Sequence, residues 1–346
     1  LGGDVRFECH MLDIRIEEPS GGATDSAPPL RGAGREAPAA GGGGATTGAR
    51  GRVTALRVGD EWIETGPVIL AIGHSARDTI RMLVQRGVRV ASKPFQIGVR
   101  IEHPQALVDN WQYGTAAGHR RLAPAEYHVV AKGAAADQGD LFSFCMCPGG
   151  MILPTNESPG LIATNGASRA ARAGPFANSG LVITMDPQQL GLDALAALDY
   201  QKGWEDMAFR ATGGTYRVPA HRAADFLNGR PSDGALETSY PLGGRWTDVA
   251  RLVPRSVVTA LTRGLVSLED KFPGFAGGAA IITAPETRAS APIRMLRDKG
   301  TRLAAGLDNL YPVGEGSGYA GGIVSAAIDG IRTADAIIQR YAPLDR

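Results

Sequence analysis

NLYPVGEGSGYAGGIVSAAIDGIRTADAIIQRY, residues 309–341, holds a short apolar run, a glycine-rich turn and a long helical stretch in that order. NLYPVG (309–314) predicts a short buried strand. Residues 316–321, Gly316-Ser317-Gly318-Tyr319-Ala320-Gly321, match Gly-x-Gly-x-x-Gly directly after that strand and before a helix. Glycine lets the backbone turn sharply and approach a ligand with no Cβ in the way, and a helix N-terminus offers free N–H groups. An ordinary dinucleotide-binding unit continues into a second strand, with an acidic residue roughly 20 positions on to hold a ribose. Here the sequence reaches Arg346 in or just past the helix. The loop is therefore read as something other than a pyrophosphate fingerprint.

Working back from it, PVILAIG (67–73) is a continuous apolar run ending in glycine, as expected of a strand buried on both faces. It leads into HSARDTIRMLVQRG, where Ser75 and Asp78 are spaced as a capping box, Ile80, Leu83 and Val84 give the apolar side, and Gly87 ends the helix. Upstream, residues 5–17 read as a strand, and VTALRV (53–58) and WIET as two more, turning at Gly59-Asp60-Glu61. Between them, residues 18–51 are almost entirely Gly, Ala, Pro, Ser, Thr and Arg, too poor in large apolar groups to offset the entropy of ordering, and read as a disordered loop. Residues 91–280 mix strand-like runs with helical stretches such as LDALAALDYQKGWEDMAFRA (192–211). The organisation expected is α/β: a first domain made of 1–90 and 285–346, with a mixed α+β second domain, 91–284, inserted into it.

Composition narrows the function. Lys plus Arg is 36 and Asp plus Glu is 35, with no polybasic block, which argues against nucleic acid as a partner. No apolar run approaches the roughly 20 residues of a membrane span. The three cysteines, Cys9, Cys145 and Cys147, make no disulfide framework and fit a reducing compartment. With only one cysteine beyond the Cys145/Cys147 pair, a closed four-ligand metal site is not expected.

The strand, glycine loop and late helix together suit the second flavin contact of two-domain flavoproteins. Glu315 would bind the ribityl hydroxyls, the N–H groups around Gly321, Gly322 and Ile323 would face the ring, and small Ala320, Ser325 and Ala326 would permit close approach. A glycine-rich turn before a closely packed helix is the competing reading. Cys145 and Cys147 would share one face of a strand, as a redox pair or as small buried packing. Arg288, Ser290 and Arg294 in ETRASAPIR are candidates for an anionic substrate or a phosphate, with a Glu286–Arg288 structural pair as the alternative; Lys93, Arg100 and His103 rank behind them.

ILAIGHSARDTIRML (69–83), KPFQIGVRIEHPQ (93–105), FSFCMCPGG (142–150), ETRASAPIR (286–294) and LYPVGEGSGYAGGIVSAAIDGI (310–331) together resemble a family of FAD-dependent dehydrogenases of unassigned substrate, found in bacteria and plastids. The resemblance runs from about Arg52 to Tyr341. It implies a glutathione-reductase-like FAD-binding domain with an inserted second domain, FAD as cofactor, a small-molecule substrate, and NAD(P)H or another electron donor or acceptor as partner. The compartment implied is the cytoplasm or the plastid stroma. By position it adds Gly73, His74, Ser75 and Arg77 to the cofactor set of Gly314, Glu315, Gly316, Gly318, Tyr319, Gly321, Gly322 and Ile323; His74 as a helix-start histidine without a ligand is the alternative. The family opens with a β-α-β unit carrying the pyrophosphate loop. Nothing upstream of Val5 supplies it, so the chain is expected to be an N-terminally truncated member. Where the family pattern continues toward Asn-Gly-Met-Ser-Tyr, this chain reads Asn165-Gly166-Ala167-Ser168-Arg169. The competing class is a non-catalytic nucleotide-binding or scaffold remnant of a flavoprotein; a flavin-dependent RNA-modifying enzyme ranks third, against the near-neutral charge.

Overall fold

A three-stranded antiparallel meander leads the computed structural model, which describes residues 3–18, 50–155 and 157–341. It consists of β1 (Met11–Glu17), β2 (Arg52–Val58) and β3 (Glu61–Glu64). Residues 5–10 do not extend β1 as expected, because Met11 already faces Val58, the last residue of β2 before the turn. Val5 and Phe7 consequently stay in solvent. The loop read as disordered falls, for residues 19–49, outside the described residues.

Next come β4 (Val68–Leu70) and α1 (Arg77–Gln85). Contrary to the sequence reading, β4 is not buried on both faces: Val68 and Leu70 are buried, but Ile69 is 54% exposed. The expected capping box is also absent. Ala76 is the N-cap residue and makes no side-chain bond, while the Ser75 hydroxyl accepts a hydrogen bond from Arg288 and Asp78 pairs with His10. Gly87, at φ +87, does end the helix, its N–H donating to the Val84 carbonyl.

The chain then builds one large mixed sheet. This segment follows β5 (Val90–Ser92) and comprises β6 (Phe95–Pro104), α2 (Gln105–Tyr113), β7 (Val130–Ala131), β8 (Leu141–Cys147), β9 (Met151–Pro154), β10 (Thr164–Ala167), β11 (Phe176–Met185), α3 (Ala194–Ala211), β12 (Val218–Arg222), α4 (Ala223–Leu227), β13 (Gly244–Trp246), α5 (Arg255–Glu269) and β14 (Ile281–Glu286), with β9 and β10 pairing apart as a two-stranded sheet. Seven strands pair in the order β13-β12-β14-β6-β11-β8-β7, antiparallel except for β12 beside β13. β6 and β11 align over ten residue pairs and are buried almost throughout, the pattern of central strands covered on both faces. On α5, Val257, Ala260, Leu261, Gly264, Leu265 and Leu268 recur at helical spacing and are buried against this sheet. His103, Trp111, Tyr127 and Phe275 interlock edge to face beside them, and the His103 ring nitrogen Nε2 lies 2.8 Å from the Phe275 carbonyl. Burial holds the His103 pKa down to about 4, so this second-line candidate is a neutral core residue.

Three elements return to the start: β15 (Ile293–Met295), β16 (Leu310–Pro312) and α6 (Ile323–Tyr341). β15 pairs with β5, and β16 lies parallel to β4 with Leu310, Tyr311 and Pro312 opposite Val68, Ile69 and Leu70. Asn309 secures this junction: its side-chain amide donates to the Val53 and Gly66 carbonyls at 2.7 Å, and its oxygen accepts from the Val53 N–H. The two buried residues of α6 are Asp329 and Thr333, whereas Ile323, Val324, Ile328, Ile331 and Ile338 are exposed. No described helix is long and apolar enough to cross a membrane.

Candidate cofactor site and the buried ion clusters beside it

Parallel pairing brings the C-terminal ends of β4 and β16 side by side, so the turns that follow them meet. Gly73 (φ +65) and Gly314 (φ +76) hold left-handed backbone that favours glycine. At Gly316 a Cβ would stand 1.9 Å from the Gly73 carbonyl oxygen, so the two turns touch backbone to backbone. At Gly318 it would stand 2.2 Å from the Ile293 carbonyl oxygen. The loop is fixed from behind by Asp329 of α6, whose carboxylate accepts from the Gly314 N–H at 2.9 Å and from Arg297 and Arg302. Burial opposes the Asp329 charge, but the Arg297 and Gly314 bonds outweigh it and keep its carboxyl below the usual range.

Of the residues named from sequence, Gly73, His74, Ser75, Gly314, Glu315 and Gly316 gather at this edge. Glu315 is partly buried, and among the described residues no hydrogen bond reaches its carboxylate; burial raises its pKa against the opposing charge of Lys93. The His74 Nε2 atom is buried, with no hydrogen-bond partner among the described residues. Burial, with the charges of Arg288, Arg77 and Lys93, lowers the His74 pKa to about 3, so the ring is neutral near pH 7. Tyr319 turns inward, its hydroxyl donating to the Met295 carbonyl at 2.8 Å under the Arg297 guanidinium. Gly321 and Ile323 at the start of α6 are exposed, and Gly322 is partly so.

An ion cluster underlies the Gly73 turn. Glu205 of α3, fully buried, accepts two bonds from Arg77 at 2.8 Å, two from Arg288 and one from the Thr287 hydroxyl at 2.6 Å. Glu157 pairs with both arginines. Arg77 and Arg288 thus serve the junction between α1, α3 and the strand-end segment after β14, and Arg288 pairs with Glu205 rather than Glu286. Burial and the Arg77 charge lower the Arg288 pKa to about 9. Sequence reading missed Glu205, although its signal was present: Ala194, Ala197, Leu198, Gln201, Glu205 and Ala208 form the buried stripe of α3, and an acid on an apolar stripe asks for a partner.

A second cluster lies in the sheet. Arg100, with no exposed surface, binds Glu286 through two hydrogen bonds of 3.0 and 2.9 Å and donates to Asn178 at 2.8 Å and to the Cys145 carbonyl at 3.2 Å. Cys145 and Cys147 close β8 beside it. Where β8 ends, a cavity of about 490 Å³ opens, with Gly150, Met151, Ala167, Phe176 and Ser239 among its lining residues. Ser239 in turn hydrogen-bonds the buried carboxylate of Glu102, whose pKa burial raises.

Residues 94–289 match the family described as FAD-dependent protein, C-terminal domain-like. The chain belongs to this family. A protein of Clostridium beijerinckii, itself described as an uncharacterized protein, is 39% identical over 294 residues, covering 84% of this chain and 55% of that protein. The chain thus spans about half the length of this relative. The family's description names FAD, and the match is compatible with the mixed α/β fold around a large mixed sheet.

Proposed function

We propose that the chain carries part of the flavin site of an FAD-dependent oxidoreductase, acting on a small-molecule substrate with NAD(P)H or another carrier as its electron partner. The observation that carries this reading is the meeting of two glycine turns at one end of the β4–β16 parallel pair, where open α/β sheets receive nucleotides. The residues there suit such a ligand: Gly73 leaves open space where a Cβ would stand, and among the described residues no hydrogen bond reaches the Glu315 carboxylate or the His74 Nε2. Bound FAD would supply two-electron chemistry that side chains cannot.

In this reading Glu315 accepts hydrogen bonds from the ribityl hydroxyls, and the N–H groups of Gly321, Gly322 and Ile323 face the electron-rich edge of the ring. Neutral His74 donates or accepts one further bond, and Ser75 is held in place by Arg288. The Arg77–Glu205–Arg288 cluster keeps the turn rigid rather than touching the reacting atoms. The domain is glutathione-reductase-like and interrupted by residues 91–284, whose cavity of about 490 Å³ lies in the size range of small-molecule sites. The pyrophosphate would be held by a separate β-α-β unit; exposed Ile69 of β4 and the exposed isoleucines of α6 are surfaces a further layer could cover.

The test is the visible absorbance of the purified chain, alone and joined to the sequence encoded upstream of it. The extended protein is expected to carry flavin, and Glu315→Ala in it should weaken FAD binding about tenfold or more, the value of a charge-assisted hydrogen bond. Absence of flavin in both forms would overturn the reading in favour of a scaffold.

A further inference from the structure

The strongest unassigned chemistry lies at the end of β8. Pairing with β11 sets Phe144 opposite Gly180 and Cys147 opposite Asn178, so Cys145 and Met146 together face the single residue Ser179. This is a β-bulge, and Cys145 sits in it at φ +46, a left-handed conformation that a non-glycine residue adopts only when its surroundings enforce it. Arg100 enforces it: its guanidinium, locked onto Glu286 inside the sheet, donates to the Cys145 carbonyl. In an unbulged strand, thiols two residues apart would be separated by about two residue rises, ~6.6 Å. Here the Cys147 thiol folds back to donate to the Cys145 carbonyl oxygen at 3.3 Å.

Two glycines make room for the pair. A Cβ at Gly166 would stand 3.0 Å from the Cys147 sulfur and 2.3 Å from the Arg100 guanidinium, and one at Gly150 would stand 2.9 Å from the Cys147 Cβ. The sulfurs differ in access, since Cys145 is exposed and Cys147 buried.

We propose that Cys145 and Cys147 form a redox-active dithiol that exchanges with low-molecular-weight disulfides, Cys145 attacking and Cys147 resolving. The electrostatics agree. The neighbouring Cys147 thiol, aided by Arg100 against the cost of burial, brings Cys145 down to about 6, while Cys147 is pushed up by its closeness to Cys145 and by burial. The accessible sulfur is the thiolate and its neighbour keeps the proton, the division of labour that exchange requires.

The Cys145 thiolate attacks one sulfur of the disulfide RSSR, forming Cys145–S–S–R and releasing RS⁻, which takes a proton from solvent. Cys147 then gives up its proton to water and attacks the Cys145 sulfur, releasing a second RS⁻. The pair is oxidised by two electrons, RSSR is reduced to two RSH, and the reaction is reversible. A ring closed across a single residue is strained, which makes the oxidised pair easy to reduce again and suits transfer rather than permanent cross-linking.

The test needs no flavin, so its outcome is separate from the cofactor reading. The chain, with Cys9→Ser to remove the third thiol, is incubated with excess oxidised glutathione and weighed by mass spectrometry. The intact pair should lose two hydrogens, and Cys147→Ala should instead retain one glutathione, mapped to Cys145. Iodoacetamide labelling of the intact pair, which requires no further substitution, should report Cys145 with a midpoint near pH 6, and Cys147→Ala should move that midpoint upward. A stable glutathione adduct on the intact pair, or labelling of Cys147 ahead of Cys145, overturns the proposal.

Discussion

The large sheet and the β4–β16–α6 junction solve the same problem differently. Within the sheet, the buried charge of Arg100 is answered on the spot by Glu286 and Asn178, and the neutral His103 ring by the Phe275 carbonyl among packed aromatic rings. At the junction, polar groups and apolar surface are left open together: among the described residues nothing hydrogen-bonds the His74 Nε2 or the Glu315 carboxylate, and Ile323, Ile328, Ile331 and Ile338 of α6 are exposed. A region whose charges are paired holds shape, and one that leaves a carboxylate unbonded beside exposed apolar surface at a strand-end crevice is built to receive something. Glu205 joins the two, since its arginines come from the start of α1 and from the segment after β14.

This contrast can be broken by mutation. Glu205→Ala should have the largest effect, a loss of about 3–5 kcal/mol in urea unfolding, because two buried guanidinium groups lose their main partner. Next is the pH response of the sheet. Unfolded, His103 titrates near its ordinary 6.5, but folded it resists a proton down to about 4. Below pH 6.5 the unfolded chain therefore binds the proton first, and stability should fall by roughly 3 kcal/mol before levelling near the folded value. His74, shifted the same way, adds a loss of the same sign. His103→Gln should flatten its share of that slope between pH 7 and pH 4.5, measured by urea midpoints. The smallest effect belongs to the open face: Ile331→Ser should change stability by no more than about 0.5 kcal/mol. A large loss there would mean that the α6 face is engaged within this chain, and the contrast would fail.

What could be read from sequence was local. The strand–glycine–helix order at 309–341, the helix ended by Gly87 and the α3 helix rest on signals within a few residues and appear where expected, within the uncertainty of element ends. The extent of β1 and the cap of α1 were misjudged for tertiary reasons: β2 turns away at Gly59, and Ser75 is claimed by an arginine 213 positions on. The pairing of β4 with β16, the acid beneath the Gly73 turn and the bulge at Cys145 all depend on contacts between distant segments. Spacing alone carries no record of these.

The parallel pair also bears on how the protein is made. β4 leaves the ribosome about 240 residues before β16, the strand it must sit beside. At typical translation rates that interval is roughly 10–50 s. The whole of the 94–289 segment is synthesised within it and has time to fold first. Val68 and Leu70 meanwhile wait for the strand they pair with, which makes residues 67–73 a stretch of the nascent chain that benefits from chaperone cover.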